Sequence, residues 1–308
     1  MKSLRIVFMG TPEFAVASLR ALHESVHEVV GVVTVADKPA GRGLQMQPSA
    51  VKQFAVDHSI PVLQPLKLKD ADFIDALGAF QADLFVIVAF RMLPEVVWSM
   101  PPRGSINLHG SLLPRYRGAA PINRAIMNGD VETGVTTFFL QHEIDTGRVI
   151  RREKIAIGAD MNAGQLHDIM MEVGAKTLLE TVNAIADGSA TAVEQELLQP
   201  AGEDIPAAPK IFKEDCRIDW NQSVQHVHNH VRGLSPYPAA WTLLQGKTLK
   251  VYEGQMLPGK SVSGEFETDG KSNLYFPCVD GAYSILSLQM EGKKRMSVEE
   301  FLRGFRAS

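Results

Sequence analysis

Three polar side chains stand at every second position where a short apolar run gives way to a loop: Asn107, His109 and Ser111. In an extended chain, alternate residues point to the same side. An amide beside an imidazole suits acyl transfer, because the amide stabilises a developing oxyanion and the imidazole positions or polarises the carbonyl. An Asn-x-His pair at a strand end is more often part of a hydrogen-bonded polar rim than a catalytic pair, so the pair alone does not establish catalysis.

A carboxylate follows the next apolar run, in the segment Gln141 to Gly147. If that run is a parallel strand, Asp145 lies beyond its carboxyl end and faces the same crevice, where it is a candidate base. The alternative is an Asx-type turn before Gly147. The spacing of His142, Glu143 and Asp145 fits no known metal motif, so the sequence predicts no metal.

Alternating strands and helices are predicted to carry these residues, which favours the α/β class with a doubly wound, mostly parallel sheet. A glycine after the first strand and Thr11-Pro12-Glu13 predict a helix with Thr11 as its N-cap. The predicted strands are Leu4 to Gly10, Val29 to Val35, Asp83 to Ala89, Gly104 to His109 and Gly134 to Leu140, and the clearest helices are Pro48 to His58, Lys69 to Ala79 and Asn162 to Asp187.

The composition and the pattern of predicted elements change after Gly188. An alanine-rich stretch precedes one helix ended by Gly233 and several short strand-like pieces separated by glycine, among them 263–267, which predicts a small β-barrel. The predicted organisation is a first domain over 1–189, a linker over 190–207 and a barrel domain over 208–308.

Composition excludes several classes of protein. No apolar stretch approaches the roughly 20 residues of a membrane helix, and the N-terminal apolar run is too short for a signal peptide. The cysteines Cys216 and Cys278 are far apart, which predicts reduced thiols and a cytoplasmic protein. The net charge is −4, although basic residues outnumber acidic ones after Ala208.

The order Asn-x-His, Ser-Leu-Leu-Pro-x-x-x-Gly and a later Asp-x-Gly resembles the folate-dependent formyltransferases. The resemblance implies a Rossmann-like first domain, with Asn107 holding the formyl oxygen, His109 polarising the carbonyl and Asp145 moving the proton of the attacking amine. It also implies a reduced-folate cleft lined by Ser111, Leu112, Leu113 and Pro114.

One segment departs from the pattern of that family. Members commonly carry an Ala-Tyr-Gly-type stretch along the pterin pocket, whereas this sequence reads Ala89-Phe90-Arg91-Met92. Phe90 and Met92 are the candidates for folate contacts there, and Arg91 replaces an expected small residue.

Further segments over nearly the whole chain resemble the tRNA-acting members, including Met9 to Ala15, Ala36 to Ser49 and Lys210 to Trp220. This resemblance implies a C-terminal OB-like barrel and transfer of the formyl group of 10-formyltetrahydrofolate to the α-amino group of initiator methionyl-tRNA. Arg42, between glycines, is the first candidate for tRNA binding and Lys38 the second; both are otherwise read as solvated surface cations. In the barrel, Lys247, Lys250, Lys293, Lys294 and Arg295 are candidate phosphate contacts, or else a charged rim.

Other functions stay open at this point. A formyltransferase for a small amine needs neither the basic loop nor the barrel, and a non-catalytic RNA-binding module does not need Asn107, His109 and Asp145. A nicotinamide cofactor is not predicted, because Gly10 belongs to no GxGxxG fingerprint. His226, His228 and His230 share a helix, but two ligands on one face make no zinc site. The sequence favours a monomer.

Overall fold

The computed structural model describes residues 2–40, 45–199, 202 and 204–306. The chain divides into two compact units, of which the first comprises 1–118, 134–155 and 168–207 and the second 119–133, 156–167 and 208–308. These units are defined by compactness alone, so the domain boundaries at 189 and 208 stay a prediction.

A seven-stranded sheet forms the centre of the first unit, with the strand order β5-β2-β1-β6-β7-β8-β9. The first five strands in that order run parallel, and their residues are mostly apolar because helices cover both faces. Apolar side chains of β1 and β6 fill the core together with those of the flanking helices. The strands are β1 Arg5–Gly10, β2 Glu28–Val33, β3 Lys38–Ala40, β4 Gln45–Gln47, β5 Val62–Leu63, β6 Leu84–Val88, β7 Ser105–His109, β8 Glu132–Phe139 and β9 Val149–Ala156.

The orientation of β8 differs from the prediction. It runs antiparallel to β7, with His109 opposite Thr136 and Ile106 opposite Phe139. The carboxyl ends of β7 and β8 therefore lie at opposite edges of the sheet. Asp145 cannot reach the end of β7 by sheet topology alone, and the loop between β8 and β9 has to bring it there.

Helices follow the predicted positions closely, with small differences at their ends. Helix α1 begins at Glu13, with Pro12 in the N-cap position and no side-chain cap, so the prediction of Thr11 as the cap is wrong. Ser49 caps α2 and Asp70 caps α3 through their side chains. The helices are α1 Glu13–His23, α2 Ala50–Asp57, α3 Ala71–Ala79, α4 Glu95–Trp98, α5 Pro121–Met127 and α6 Ala163–Asp187, and a short 3-10 helix spans Gln195–Leu198.

The second unit contains an antiparallel sheet in the order β10-β11-β14-β13-β12, with β15 pairing with β14. Helix α7 packs its valines against this sheet and ends at Leu234, one residue beyond the predicted glycine. Only the last residue of the predicted strand 263–267 is extended, as the start of β12. The elements are α7 Val224–Leu234, β10 Ala240–Leu244, β11 Lys247–Pro258, β12 Glu267–Thr268, β13 Leu274–Cys278, β14 Gly281–Met290, β15 Met296–Ser297 and α8 Val298–Leu302, with a 3-10 helix at Glu214–Cys216.

Among the described residues, no helix combines the length and the apolar character that crossing a membrane requires.

Candidate active site

Strand β7 ends in the two polar residues that the sequence singled out. Asn107 is half-buried, and its side chain makes no hydrogen bond within the described part of the chain. His109, two residues on, is 6% exposed. Neighbouring strands on both sides hold β7 in place, so both side chains are set by a rigid element. An amide with no partner among the described residues is available to a substrate carbonyl.

The imidazole of His109 has a defined orientation. Its Nε2 lies 2.8 Å from the carbonyl oxygen of Tyr116. A carbonyl only accepts, so Nε2 carries a proton and donates it to that oxygen. Nδ1 is then the ring nitrogen with a free lone pair, and it faces Asp145.

Asp145 completes the group. Its Oδ2 lies 3.8 Å from Nδ1 of His109 and accepts a hydrogen bond of 3.0 Å from the backbone N–H of Gly118. Its side chain is 13% exposed, and its backbone is left-handed, with φ of 56°. The separation of 3.8 Å is too long for a direct hydrogen bond between the two side chains. Both Asp145 Oδ2 and His109 Nδ1 can therefore accept a hydrogen bond from a substrate donor.

The loop that carries Asp145 is tightly built. A Cβ on Gly147 would collide with the carbonyl oxygen of Phe139, so only glycine allows the chain to pass this close to the end of β8. Arg148 accepts a hydrogen bond from the Phe139 N–H through its carbonyl. The loop thus turns back directly after β8, which compensates for the orientation of that strand.

The segment Ser111 to Pro114 is held by buried hydrogen bonds. The Thr136 hydroxyl donates to the Ser111 carbonyl at 2.6 Å and accepts from the Leu113 N–H at 3.1 Å. The Ser111 hydroxyl donates a hydrogen bond to the Arg115 carbonyl at 2.6 Å, and both Ser111 and Leu113 are fully buried. Of the four predicted folate residues in this segment, Leu112 is the most exposed to solvent, being half-buried.

A cavity of about 490 Å³ lies beside this segment. Leu112 and Pro114 line it, whereas Asn107, His109 and Asp145 do not. The three polar side chains, and not this cavity, therefore define the candidate reaction site. Its remaining lining residues are Arg115, Arg152, Glu153, Lys154, Leu198, Gln199, Asp204 and Ile205.

The departure at 89–92 has a structural explanation. The guanidinium of Arg91 donates to the carbonyls of Pro65 and Leu66, so it is directed onto the chain after β5. Phe90 is half-buried against the core of the first unit, while Met92 is 74% exposed. Contacts of Phe90 and Met92 with a folate stay a prediction.

Arg42, the first candidate for tRNA binding, lies outside the described residues. Lys38 is exposed at the start of β3, which pairs with β4 in a two-stranded antiparallel sheet. Next to it, hydrogen bonds from Lys52 and Gln64 hold the pKa of Asp37 below its ordinary value. The carboxylate of Asp37 is therefore already engaged by Lys52.

The basic candidates of the second unit are mostly at its surface. Lys247, Lys293, Lys294 and Arg295 are exposed and Lys250 is half-buried. Sequence reasoning missed a second basic group, in which Lys213 and Arg217 lie 5.9 and 5.8 Å from the ring centre of Trp241. The cation–aromatic contacts could not be predicted from the sequence, because an isolated β-bridge brings Arg217 to Trp241.

The three histidines of α7 differ in their surroundings. No group of three or more metal-binding side chains occurs among the residues that the structure describes. His228 is buried and lies 3.3 Å from both the Ala159 carbonyl and an Asp160 oxygen. Burial lowers the pKa of His228 and of His230.

Comparison with known proteins places this chain in a family. Residues 4–182 match the formyl transferase family model, and residues 210–306 match that of the formyl transferase C-terminal domain. The chain belongs to the formyl transferase family. The resemblance drawn from the sequence and the predicted activity class, transfer of a formyl group, are thereby confirmed.

Relatives agree over the whole length of the chain. A methionyl-tRNA formyltransferase from Bacteroides fragilis is 54% identical over 99% of this chain and 96% of its own. One from Flavobacterium johnsoniae is 48% identical over 99% of this chain and 97% of its own.

Solved formyl transferase structures share the fold at lower identity. The N-formyltransferase from Helicobacter canadensis, in complex with folinic acid and dTDP-3-aminofucose, has a TM-score of 0.66 at 17% identity and covers 95% of this chain and 100% of its own. HypX from Aquifex aeolicus, in complex with tetrahydrofolic acid, has a TM-score of 0.66 at 19% identity and covers 99% of this chain and 48% of its own. The predicted fold class, a Rossmann-like sheet followed by an antiparallel C-terminal domain, is confirmed.

Proposed function

We propose that this protein transfers the formyl group of 10-formyltetrahydrofolate to the α-amino group of initiator methionyl-tRNA. One observation carries the proposal. His109, two residues after Asn107 on β7, lies 3.8 Å from Asp145 in a chain that is 54% identical over 99% of its length to a methionyl-tRNA formyltransferase. The two substrates supply the nucleophile and the electrophile, so the protein contributes position and electrostatics.

Asn107 stabilises the charge on the formyl oxygen. When the α-amino nitrogen bonds to the formyl carbon, electrons move onto that oxygen, and the Asn107 amide N–H donates to it. The rigid β7 strand fixes the amide in advance, so no reorganisation is required as the charge develops. His109 adds a second polar group on the same side of the strand.

Asp145 and His109 transfer the proton from the attacking amine to the leaving nitrogen. The attacking amine must lose one proton and the leaving nitrogen N10 must gain one, so formyl transfer needs a group that accepts and then returns a proton. Asp145 Oδ2 and His109 Nδ1 are adjacent acceptors, and Tyr116 and Gly118 hold them from the protein side. One C–N bond replaces another without net oxidation, so reduced folate is the only cofactor-like substrate that the reaction requires.

The folate would lie along Ser111 to Pro114 with Phe90 and Met92 at its pterin end. Several donors and acceptors of this segment are already paired internally, which leaves an apolar edge at Leu112 for the folate. The tRNA would contact Arg42 and Lys38 in the first domain, and the barrel domain would add basic contacts to phosphates. The protein would act as a cytoplasmic monomer, with domains at 1–189 and 208–308 and a linker at 190–207.

Formyl transfer from labelled 10-formyltetrahydrofolate tests the proposal directly. Methionyl-tRNA, glycinamide ribonucleotide and a nucleotide-linked amino sugar are offered as acceptors at equal concentration. We expect label on methionyl-tRNA, with kcat/KM at least about 100-fold above either small amine. Transfer to a small amine at equal efficiency, or no transfer at all, would refute the proposal. Binding of tRNA without turnover would favour the non-catalytic RNA-binding module.

A further inference from the structure

Gln195 is a buried amide in the segment that the sequence assigned to the linker. It opens the 3-10 helix Gln195–Leu198, its exposed fraction is 0%, and it lies between the two regions that match the family models. A fully buried glutamine is uncommon unless its polar atoms are satisfied. Four hydrogen bonds satisfy this one.

The amide nitrogen of Gln195 holds the loop that carries the carboxylate. Nε2 donates to the carbonyl of Asp145 and to the carbonyl of Gly147, each at 2.8 Å. Both protons of the amide are therefore used on the backbone around Asp145. This backbone is left-handed at Asp145, a conformation that the surrounding structure has to maintain.

The amide oxygen of Gln195 holds the opposite loop. Oε1 accepts from Nε and from Nη2 of Arg117, at 3.0 and 2.8 Å. A guanidinium only donates, so this contact also fixes which end of the amide is oxygen. Arg117 stands between Tyr116, whose carbonyl accepts from His109, and Gly118, whose N–H donates to Asp145.

One buried side chain thus connects the two loops that orient His109 and Asp145. Such a tether is needed, because β8 runs antiparallel to β7 and the sheet does not by itself bring Asp145 to the end of β7. We propose that Gln195 is a positioning residue for formyl transfer, which acts by fixing the Asp145 loop against the Tyr116–Gly118 loop. This inference rests on the proposed function.

The linker does not depend on Gln195 for its attachment. Val193 and Val149 exchange two backbone hydrogen bonds of 2.8 Å, and Leu198 packs against Leu113, Phe138 and Val149. Removal of the Gln195 amide should therefore leave the segment in place and the protein folded. What changes is the freedom of the Asp145 loop.

Gln195→Glu tests the donor end of the amide separately from its acceptor end. The carboxylate still accepts from Arg117, but it cannot donate to the carbonyls of Asp145 and Gly147. We expect kcat for methionyl-tRNA to fall about 10- to 100-fold, as for a small misplacement of a catalytic group, with KM for both substrates within about 2-fold. Glu196→Gln changes an exposed side chain of the same short helix and should keep the wild-type kcat.

A kinetic cycle with Asp145→Asn distinguishes positioning from a general structural effect. Single-turnover rates are measured for the wild type, both single variants and the double variant. If Gln195 acts through Asp145, adding Gln195→Glu to Asp145→Asn lowers the residual rate by less than about 2-fold. If the rate falls by the same factor as in the wild-type background, the role is structural and the inference is overturned.

The remaining outcomes are equally decisive. Gln195→Ala serves as a second variant if Gln195→Glu does not fold; failure of both to fold means that the residue is structural, which overturns the inference. A Gln195→Glu rate equal to that of Glu196→Gln overturns it as well. An inactive wild type would refute the proposed function itself, which is a different result from an active wild type with an unaffected variant.

Discussion

Thr136→Val tests whether a single hydroxyl holds the segment Ser111 to Pro114. The hydroxyl is the partner of both the Ser111 carbonyl and the Leu113 N–H, and the threonine is fully buried. Valine has the same shape but leaves these two backbone groups without a partner. A buried polar group that loses its partner costs about 1–3 kcal/mol. For two groups with some local relaxation, we expect a loss of about 2–4 kcal/mol in the free energy of unfolding.

Thr177→Val is the matched control. Thr177 is 2% exposed, and its hydroxyl donates to the Val173 carbonyl within α6, which is also the acceptor of the helical N–H at 177. The same chemical change therefore leaves no backbone group unpaired, and we expect a loss below about 1 kcal/mol.

Urea denaturation of both variants gives the two free energies of unfolding, provided that the m-values agree with the wild type. Hydrogen exchange over 111–115 should accelerate in Thr136→Val and stay unchanged in Thr177→Val. KM for 10-formyltetrahydrofolate should rise in Thr136→Val alone. The reasoning is wrong if the two variants lose the same stability within about 0.5 kcal/mol.

Three other predictions concern the site, the tRNA and the second unit. Asp145→Asn should lower kcat by about 10²- to 10⁴-fold with little change in stability, because asparagine accepts the same left-handed backbone but cannot take up the proton; near-normal single-turnover rates would contradict this. Arg42→Ala should raise KM for methionyl-tRNA and leave folate binding unchanged, as measured by titration with a folate; an equal loss of both would mean that the residue is misplaced. Because burial lowers the pKa of His228, the unfolded chain takes up this proton first as the pH falls. Its contribution to stability is therefore present above about pH 6.5 and is lost as the pH falls below that value. When the free energy of unfolding is measured by urea denaturation between about pH 5 and 8, it should change less with pH for His228→Gln than for the wild type.

Local patterns in the sequence were sufficient for most of the elements. The apolar runs predicted β1, β2, β6 and β7 within a few residues, since strands covered on both faces consist of such runs. The direction of β8 was not predictable, because periodicity contains no information on whether a strand runs parallel or antiparallel to its neighbour. The short strands β3, β4 and β5 lacked an apolar run of sufficient length.

The candidate site was predicted in part, and once for an incorrect reason. Asn107 and His109 share a side of β7 because of the period of a strand, which the sequence shows directly. Asp145 does lie beside His109, but β8 is antiparallel to β7, and the loop ending at Gly147 brings the carboxylate to this place instead.

The supporting contacts left no signal in the sequence. Tyr116 and Gly118 act through backbone atoms, which every residue has, and Gln195 reaches Asp145 over 50 positions along the chain. Contacts of that range arise from tertiary packing, and a polar residue in an alanine-rich stretch resembles any other linker position.

The left-handed backbone at position 145 limits what evolution or a protein engineer can place there. Aspartate and asparagine are the non-glycine residues that most readily adopt this conformation, whereas glutamate is disfavoured and its carboxylate would extend one methylene further. An exchange of one acid for the other would therefore disturb the turn as well as the reach of the oxygen atoms. Substitution libraries at this position should recover activity only from aspartate, so the local chain geometry and the acid–base requirement select the same amino acid.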